Sequence, residues 1–230
     1  MSPLYLYAVL GDVPAAPIGE GMTGEPLQLV DCAGVIAAAG EIVRAPSLAP
    51  DALRSHDAVV RRLADVADAV LPARFGAIAS DETDLRERLA RASDTLREAL
   101  AQVAGREQMI LRVFSDTSDA PSPPAGTVPS AESDGPGTRY LAERARAQRA
   151  ASDVRELMPL RPVLDRFVAA ERVERHDTPP LVASVYHLLP RGTARAYTAA
   201  VEDAVARVPG LRVTVSGPWA PYAFVPDALG

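Results

Sequence analysis

The sequence predicts an α+β protein made of two small parts. Strand-like and helix-like segments are mixed along the 230 residues, and they form two separate runs. Between the runs, residues 115–137 are rich in Ser, Pro, Asp and Gly and have no apolar periodicity, which predicts a flexible insert. We therefore predict an N-terminal α+β domain over residues 1–105 and a C-terminal domain over residues 106–230.

The first run begins with a buried strand. Residues 4–10 (LYLYAVL) are apolar on both alternating faces, which is typical of a central strand that is covered on both sides. A Pro/Gly-rich loop follows over residues 12–26, and two short strands are predicted near residues 26–31 and 34–39. Pro50 then suits the first position of a helix, because the N–H that proline lacks is not needed there.

A strand, a second helix and another strand complete the first run. The strand is predicted over residues 73–79. Ser80 or Asp81 can cap the helix that follows, leucines spaced three or four residues apart give it an apolar face, and Gly105 ends it. The last strand is predicted over residues 108–114 (QMILRVF).

The second run predicts a modified ferredoxin-like sandwich. A long Arg-rich helical pattern covers about residues 138–173, and Pro159 and Pro162 are expected to break or kink it. A strand over residues 181–189 and a helix over residues 192–207 come next. The final strand, LRVTVSG, alternates apolar and polar side chains. This strand and helix order, with a split helix, fits the ferredoxin-like arrangement with an alteration.

Composition excludes several functional classes. The formal net charge of −6 and the sequence pI of about 5.2 argue against a dense basic stripe for nucleic acid. The single cysteine, Cys32, cannot form an internal disulfide, which fits a reducing cytoplasm. Residues 1–12 do not have the pattern of a signal peptide, and no apolar run approaches the roughly 18 residues that span a bilayer. We therefore expect a cytoplasmic protein that binds neither nucleic acid nor membrane.

No motif in the chain predicts catalysis, a cofactor or a metal. The histidines His56, His176 and His187 have no metal-binding partner at three or four residues' distance. Residues 19–24 read G-x-G-x-x-G, but prolines precede them and a strand follows, so a loop is favoured over a dinucleotide site. His56 lies on the apolar side of its helix, where a hydrogen bond to the sheet is favoured over a catalytic base. A thiol–imidazole pair of Cys32 with His56 is possible, but a buried, inert thiol is more common.

The C-terminal segment SGPWAPYAFVPDALG has two interpretations. Its aromatic side chains are separated by prolines, so they either fill the edge of the core or present a rigid platform to a partner. On an extended chain, Tyr222 and Phe224 would lie on one side and pack inward, while Trp219 would point elsewhere. Trp219 and Tyr222 are therefore candidate partner-binding residues, and Phe224 is a candidate core residue.

A cluster of arginines follows the insert. Only Glu143 offsets these positive charges, so the cluster is either a solvated helix face or a docking stripe for an acidic partner. The candidate docking residues are Arg139, Arg144, Arg146 and Arg149.

A motif about fifteen residues after His56 resembles the signature of the gas vesicle GvpF/GvpL family. Its residues are Leu71, Pro72, Arg74, Phe75 and Gly76. Four other segments are similar to the family and occur in the same order, from residue 5 to residue 225. They are YLYAVL (5–10), GREQMILRVF (105–114, with Glu107), GTRYLAERA (137–145) and SGPWAPYAFV (216–225, with Phe224).

The resemblance implies a function as well as a fold. It implies a two-part α+β protein that is a minor structural component or assembly factor of gas vesicles, the protein-walled buoyancy compartments of prokaryotes. The implied partners are the small, apolar shell protein and other accessory gas vesicle proteins, and no enzymatic activity is implied. The alternative is a small-molecule-binding or catalytic α+β domain that uses His56, Cys32 and Arg74.

Arg74 lies in the segment predicted to be a strand. Burying an arginine without a partner is costly, so Arg74 is expected either to be paired or to extend its guanidinium to the surface, and the candidate partners are Asp and Glu residues near the domain junction, Glu107 among them. We expect this pair to lock the two parts of the protein together, in preference to a role of Arg74 in binding.

Overall fold

The computed structural model describes residues 2–114 and 154–229, and it is an α+β fold with two sheets. The predicted flexible insert lies outside the described residues. The chain forms two compact units, and the C-terminal tail belongs to the first of them. That first unit contains Met1–Met109, Leu188–Ala194 and Gly217–Gly230, and the second contains Ile110–His187 and Arg195–Ser216. The proposed division into domains 1–105 and 106–230 stays a prediction.

The helices and strands of the described residues follow the predicted order closely. The strands are β1 Leu4–Leu10, β2 Leu27–Asp31, β3 Ile36–Glu41, β4 Val70–Pro72, β5 Ile78–Ala79, β6 Arg106–Phe114, β7 Ala170–Arg175, β8 Leu181–Pro190 and β9 Arg212–Trp219. The helices are α1 Pro50–Val66, α2 Glu82–Arg91, α3 Ser93–Val103, α4 Arg161–Leu164 and α5 Ala194–Val205. Short 3-10 turns cover Arg155–Leu160, Tyr222–Phe224 and Asp227–Leu229.

Strand β1 is the centre of the first sheet. The sheet has the order β2-β3-β1-β4, and β5 also pairs with β1; all of these pairs are antiparallel. All seven residues of β1 are buried, so the predicted central strand is confirmed. The apolar face of α1 packs on this sheet through Val59 and Leu63, which belong to the same core cluster as Tyr5 and Tyr7. This core is the scaffold from which the loops of the first unit extend.

The segment predicted as a strand over residues 73–79 is interrupted by a turn. Strand β4 ends at Pro72, and Gly76 has a φ of +89°, a left-handed conformation that glycine adopts without strain. The chain leaves the edge of β1 after Ala73, whose N–H donates to the Tyr7 carbonyl. It returns at Ala77, whose carbonyl accepts from the Leu6 N–H at 2.9 Å. Residues 74–76 therefore project from the sheet edge and are not part of a strand.

The predicted second helix is two helices. Asp81 caps α2 by accepting a hydrogen bond from the Asp84 N–H at 2.9 Å, as the sequence indicates. The helix then breaks at Ala92, where ψ is 5°. Leu85 and Leu89 are buried on α2 and Leu96 on α3, so each short helix places its own apolar face in the core. The sequence has no proline or glycine at this break, which explains why the pattern predicts one helix.

The G-x-G-x-x-G segment is a loop that leads into β2. Gly19 and Gly24 have φ angles of +75° and +83°, and the Gly21 N–H donates to the Glu25 carbonyl at 2.7 Å. The Tyr7 hydroxyl donates to the Glu25 carboxylate at 2.5 Å and accepts from the Met22 N–H at 2.8 Å. The loop is thus closed by its own backbone and by β1, and it does not open a helix.

The second sheet has the order β7-β8-β6-β9. Counted along the chain, this is the order 2-3-1-4, which is that of a ferredoxin-like sandwich. The helical pattern predicted to reach residue 173 is wrong beyond α4, because Ala170–Arg175 is a strand. Its AERVER sequence fits a helix locally, but it pairs with β8 in the sheet. The alternation predicted for the final strand is confirmed, since Arg212 and Thr214 are exposed while Val213 is half-buried.

A buried hydrogen-bond network joins four elements of the second unit. Arg161 of α4 donates to both carboxylate oxygens of Glu171 in β7, at 2.7 and 3.0 Å. His187 of β8 is fully buried and lies between Glu171, at 2.7 Å, and the Tyr197 hydroxyl of α5, at 2.6 Å. Burial raises the pKa of Glu171, but the bonds from His187 and Arg161 outweigh it and lower that pKa to about 2.

This network predicts an acid-sensitive contribution to stability. A depressed carboxylate pKa stabilises the fold above the unfolded value of 4.5, and the stabilisation is lost as pH falls toward about 2. We expect Glu171→Gln to cost about 3 kcal/mol at pH 7, and to cost much less near pH 2. The measurement is urea unfolding of both proteins, followed by circular dichroism, across this pH range. A difference between the two proteins that does not change with pH would contradict the prediction.

Candidate functional site

An aromatic cluster holds the turn that carries the Arg74-Phe75-Gly76 motif. The ring of His56, from α1, stacks on Tyr7 at 5.6 Å between centroids. The Phe75 ring makes T-shaped contacts with His56 and with Tyr5, with ring centroids 5.7 and 6.3 Å apart. Phe75 therefore anchors the turn to α1 and β1 through ring contacts, and its side chain is half-buried.

A chain of hydrogen bonds fixes the backbone of the same turn. The Gly76 N–H donates to the Tyr5 hydroxyl at 3.0 Å, and that hydroxyl lies 3.0 Å from His56 Nδ1. His56 Nε2 lies 3.2 Å from the Ala73 carbonyl, which can only accept, so Nε2 carries a proton and Nδ1 accepts from Tyr5. Burial lowers the pKa of His56, which keeps the ring neutral near pH 7. The predicted bond from His56 to the sheet is present, through Tyr5.

The alternative interpretation, a small-molecule-binding or catalytic site, uses His56, Cys32 and Arg74. In the structure each of these side chains has separate partners. Both ring nitrogens of His56 are occupied, and Cys32 is buried, donates to the Val30 carbonyl at 3.4 Å and has a pKa raised by burial. The Arg74 side chain is 69% exposed, and its carboxylate neighbour is the exposed Asp227 at 3.8 Å. Nothing therefore brings the three groups together as an acid, a base and a nucleophile.

The domain-locking ion pair expected for Arg74 is contradicted by the structure, whereas the other expectation, a guanidinium that extends to water, agrees with it. Arg74 lies in the turn that projects from the edge of β1, so its guanidinium remains in water and needs no buried partner. The candidate partner Glu107 has another role, because its carboxylate accepts from the Gly192 and Ala194 N–H groups at 3.2 and 3.3 Å. Pro72, which precedes the turn, is buried.

The C-terminal tail packs on the first unit, and it is not extended throughout. Pro221 is followed by a 3-10 turn, so the even spacing of Tyr222 and Phe224 does not place them on one side of a straight chain. Phe224 is 1% exposed and belongs to the core, as predicted. Tyr222 is half-buried and donates to Asp57 at 3.4 Å, and the Ala223 N–H donates to the Gln108 side chain at 2.8 Å.

Trp219 lies apart from these core contacts. It ends β9 and is half-buried, and the Arg61 guanidinium covers its ring at 4.6 Å from the centroid. Its indole N–H is inaccessible to solvent and makes no hydrogen bond within the described part of the chain. Trp219 lines a surface groove of about 390 Å³, whereas Phe224 does not. We call this the Trp219 groove. Its lining includes Arg61, Arg106, Arg191, Pro218, Trp219 and Pro221.

The arginines of the Trp219 groove differ in their partners. Arg61 forms an ion pair with Asp57 at 2.6 Å. Arg191 donates to the carbonyls of Ala67 and Asp68 at 3.0 and 3.2 Å, and Arg106 donates to the Gln102 carbonyl. Among the residues that the structure describes, neither Arg106 nor Arg191 forms an ion pair with a carboxylate. Two positive charges at the groove are therefore held by neutral oxygen atoms.

Sequence reasoning identified Trp219 as a candidate binding residue but missed the three arginines around it. They come from α1, from the start of β6 and from the residue after β8, so no spacing in the sequence connects them. The other candidate docking stripe, Arg139 to Arg149, lies outside the described residues. Within residues 2–114 and 154–229, no group of three or more His, Cys, Asp and Glu side chains is placed to hold a metal ion. In the same ranges, no helix has the length and apolar character needed to cross a membrane.

The hydrogen-bond chain at the turn predicts a stability effect of Tyr5. Tyr5→Phe keeps the ring but leaves the Gly76 N–H and His56 Nδ1 without their partner, so we expect a loss of about 1–3 kcal/mol in unfolding free energy. Tyr222→Phe is the matched control, since its 3.4 Å bond to Asp57 is long and only part-buried. Urea unfolding of both variants tests this. Equal losses would mean that the Tyr5 hydroxyl does not hold the turn.

The tail predicts effects of very different size for its two largest rings. Phe224→Ala removes a buried core ring, and we expect it to destabilise the protein by about 3–5 kcal/mol. Trp219→Ala removes a half-buried ring at a groove, and we expect its effect to stay within about 1 kcal/mol. Thermal melting of the two variants distinguishes these roles. Similar losses in both would show that Trp219 is a core residue and not a surface of the groove.

The chain is similar over nearly its whole length to gas vesicle proteins. It is 28% identical to gas vesicle protein L of Streptomyces sp. (strain CB03234), covering 96% of this chain and 91% of that protein. It is also 28% identical to gas vesicle protein L2 of Halobacterium salinarum (strain ATCC 700922 / JCM 11081 / NRC-1), covering 97% of this chain and 91% of that protein.

Two crystal structures share the fold. Gas vesicle protein GvpF from Anabaena sp. PCC7120 matches with a TM-score of 0.71 at 17% identity, covering 98% of this chain and 97% of that one. GvpF from Microcystis aeruginosa matches with a TM-score of 0.70 at 16% identity, covering 97% and 99%. These identities show the fold alone.

The family model described as gas vesicle synthesis protein GvpL/GvpF matches residues 3–226. This range contains every motif on which the resemblance depends, including the turn around Arg74 and the tail around Trp219. The resemblance is therefore confirmed, and the chain belongs to the gas vesicle GvpL/GvpF family.

Proposed function

We propose that this protein is a minor structural component or assembly factor of gas vesicles that binds the apolar shell protein and other accessory gas vesicle proteins. The observation that carries the proposal is the family match over residues 3–226, which leaves almost none of the chain outside the family. The names of the two relatives, both gas vesicle proteins, are consistent with this role.

The surface of the first unit supports a binding role over an enzymatic one. His56 and Cys32 are buried and occupied by their own hydrogen bonds, and Arg74 is exposed in a turn. By contrast, the Trp219 groove offers a tryptophan ring, two prolines and arginine side chains. Trp and Arg are enriched among the residues that dominate protein–protein binding energy. On this proposal the protein is found with gas vesicles or their precursors in the cytoplasm.

Co-expression with the shell protein tests the proposed function. We expect the tagged full chain to capture the shell protein encoded in the same gene neighbourhood, and to reduce the amount of shell protein that aggregates. The control is an unrelated tagged domain of similar size and net charge, which corrects for adhesion of an apolar protein. Equal recovery of shell protein with the control would contradict the proposal.

A deletion strain provides the second readout. Without the protein, we expect a lower yield of gas vesicles, because an assembly factor or minor component is needed in the same pathway as the shell. Phe224→Ala, expressed in the deletion strain, is the destabilised control. Its vesicle yield shows the effect of losing the fold, and surface variants are compared with it. An unchanged vesicle yield in the deletion strain would contradict the proposal.

A further inference from the structure

We propose that the Trp219 groove binds an acidic, extended segment of a partner protein. The inference rests on the proposed function, because it specifies the chemistry of the partner that a gas vesicle protein of this family would hold. It stands on three features of the described residues: the charge of the groove, the partners of its arginines, and the shape of its apolar wall.

The groove is close to neutral within an acidic protein. The whole chain has a formal net charge of −6. The groove lining brings together three guanidinium groups and two carboxylates, which belong to Arg61, Arg106, Arg191, Asp65 and Glu107. Asp57 adds a third carboxylate, which forms an ion pair with Arg61. Three positive charges thus lie beside three negative ones. A segment with carboxylate side chains is therefore repelled less at this surface than by the acidic chain as a whole, and the two arginines that have no ion pair among the described residues decide where it binds.

Two of these arginines are available to a carboxylate. Arg106 and Arg191 donate to backbone carbonyl oxygens, which orient the guanidinium groups without neutralising their charge. A guanidinium keeps five N–H donors in a fixed planar array, so each group retains donors for a carboxylate. A carboxylate can accept from one guanidinium through both of its oxygen atoms, and it carries the opposite charge, which a carbonyl oxygen does not. A partner's Asp or Glu therefore neutralises a charge that the carbonyl oxygens leave in place.

The apolar wall fits a peptide chain. Trp219 is braced on one face by Arg61 at 4.6 Å, and Pro218 and Pro221 stand on either side of it in sequence. These side chains lose little conformational freedom on binding, because prolines are already fixed and the tryptophan ring is already packed. An apolar side chain next to the partner's carboxylate would cover the tryptophan ring. Alternating acidic and apolar residues on an extended segment would meet both requirements.

The same lining favours a protein partner over a nucleic acid. Asp65 and Glu107 contribute carboxylates to the groove. A nucleic acid has a negative charge at every phosphate, so these carboxylates would repel it. Affinity for nucleic acid depends on several basic side chains that follow the backbone together. A peptide can instead place its few carboxylates opposite Arg106 and Arg191.

Trp219 is the only tryptophan in the chain, so its fluorescence reports directly on the groove. The probe is a synthetic ten-residue peptide of alternating Glu and Leu with blocked ends, and its control replaces every Glu by Lys. We expect the acidic peptide to produce a saturable change in Trp219 emission, weaker at high salt, and the basic peptide to produce none. Calorimetric titration of the full chain measures the same binding without depending on the fluorophore.

Charge variants test whether Arg106 binds the acidic peptide. Arg106→Glu is expected to weaken binding of the acidic peptide at least about tenfold, and Arg106→Lys, which keeps the charge, to weaken it less. The matched control is Arg91→Glu, since Arg91 is an exposed arginine of α2 that does not line the groove. It makes the same change in net charge, and we expect near-normal binding. Melting curves of all three variants confirm that they are folded.

Four results of these binding assays would each overturn the inference. They are absence of acidic-peptide binding by both methods, equal binding of the basic peptide, equal losses in Arg106→Glu and Arg91→Glu, and binding of a ten-nucleotide single-stranded DNA as tight as that of the acidic peptide. Failure of the groove and failure of the proposed function are distinguishable. If Arg106→Glu captures the shell protein and accessory proteins as well as wild type does, the groove inference fails and the proposed function stands.

Discussion

The hydrogen bonds of the Tyr5 hydroxyl constrain much of the first unit. Tyr5 lies in the central strand β1, and its hydroxyl joins the Gly76 N–H to the buried ring of His56 on α1. His56 in turn donates to the Ala73 carbonyl, so the Tyr5 hydroxyl and the neutral imidazole together hold the strand, the helix and both ends of the turn. Because every buried polar atom in this chain of bonds has a partner, the turn can leave the sheet without a desolvation cost. In this chain, the turn around Arg74 is therefore held by these hydrogen bonds and by the Phe75 ring.

The Trp219 groove depends on the contacts that pack the C-terminal tail within the first unit. The Ala223 N–H donates to the Gln108 side chain and Phe224 fills the core, and these contacts fix the tail that carries Trp219. Arg106 and Arg191 are fixed separately, by carbonyls at the C-terminal ends of α3 and α1. The proposed binding surface thus consists of side chains whose orientation is set by contacts with other parts of the first unit.

Much of the secondary structure follows from local pattern. The seven apolar residues of β1, proline at the start of α1 and the Asp81 cap each have a short-range physical cause, and each was predictable. The errors fall where a tertiary contact outweighs a local preference. Residues 73–79 have the composition of a strand, but Tyr5 and Phe75 hold a turn there. The AERVER segment resembles a helix, but it is a strand that pairs with β8.

The sequence by itself determined the α+β class, the central strand and the family motifs, and it made Trp219 a candidate binding residue, because these depend on residue type and short-range spacing. Tertiary structure alone decided that Arg74 is exposed, that Phe224 is core while Trp219 faces a groove, and that Arg61, Arg106 and Arg191 meet. The reason is physical: solvation of a charge and convergence of side chains depend on which segments fold back on which. Residues 61, 106, 191 and 219 come from four separate segments of the chain, and only the packed first unit brings their side chains to one surface.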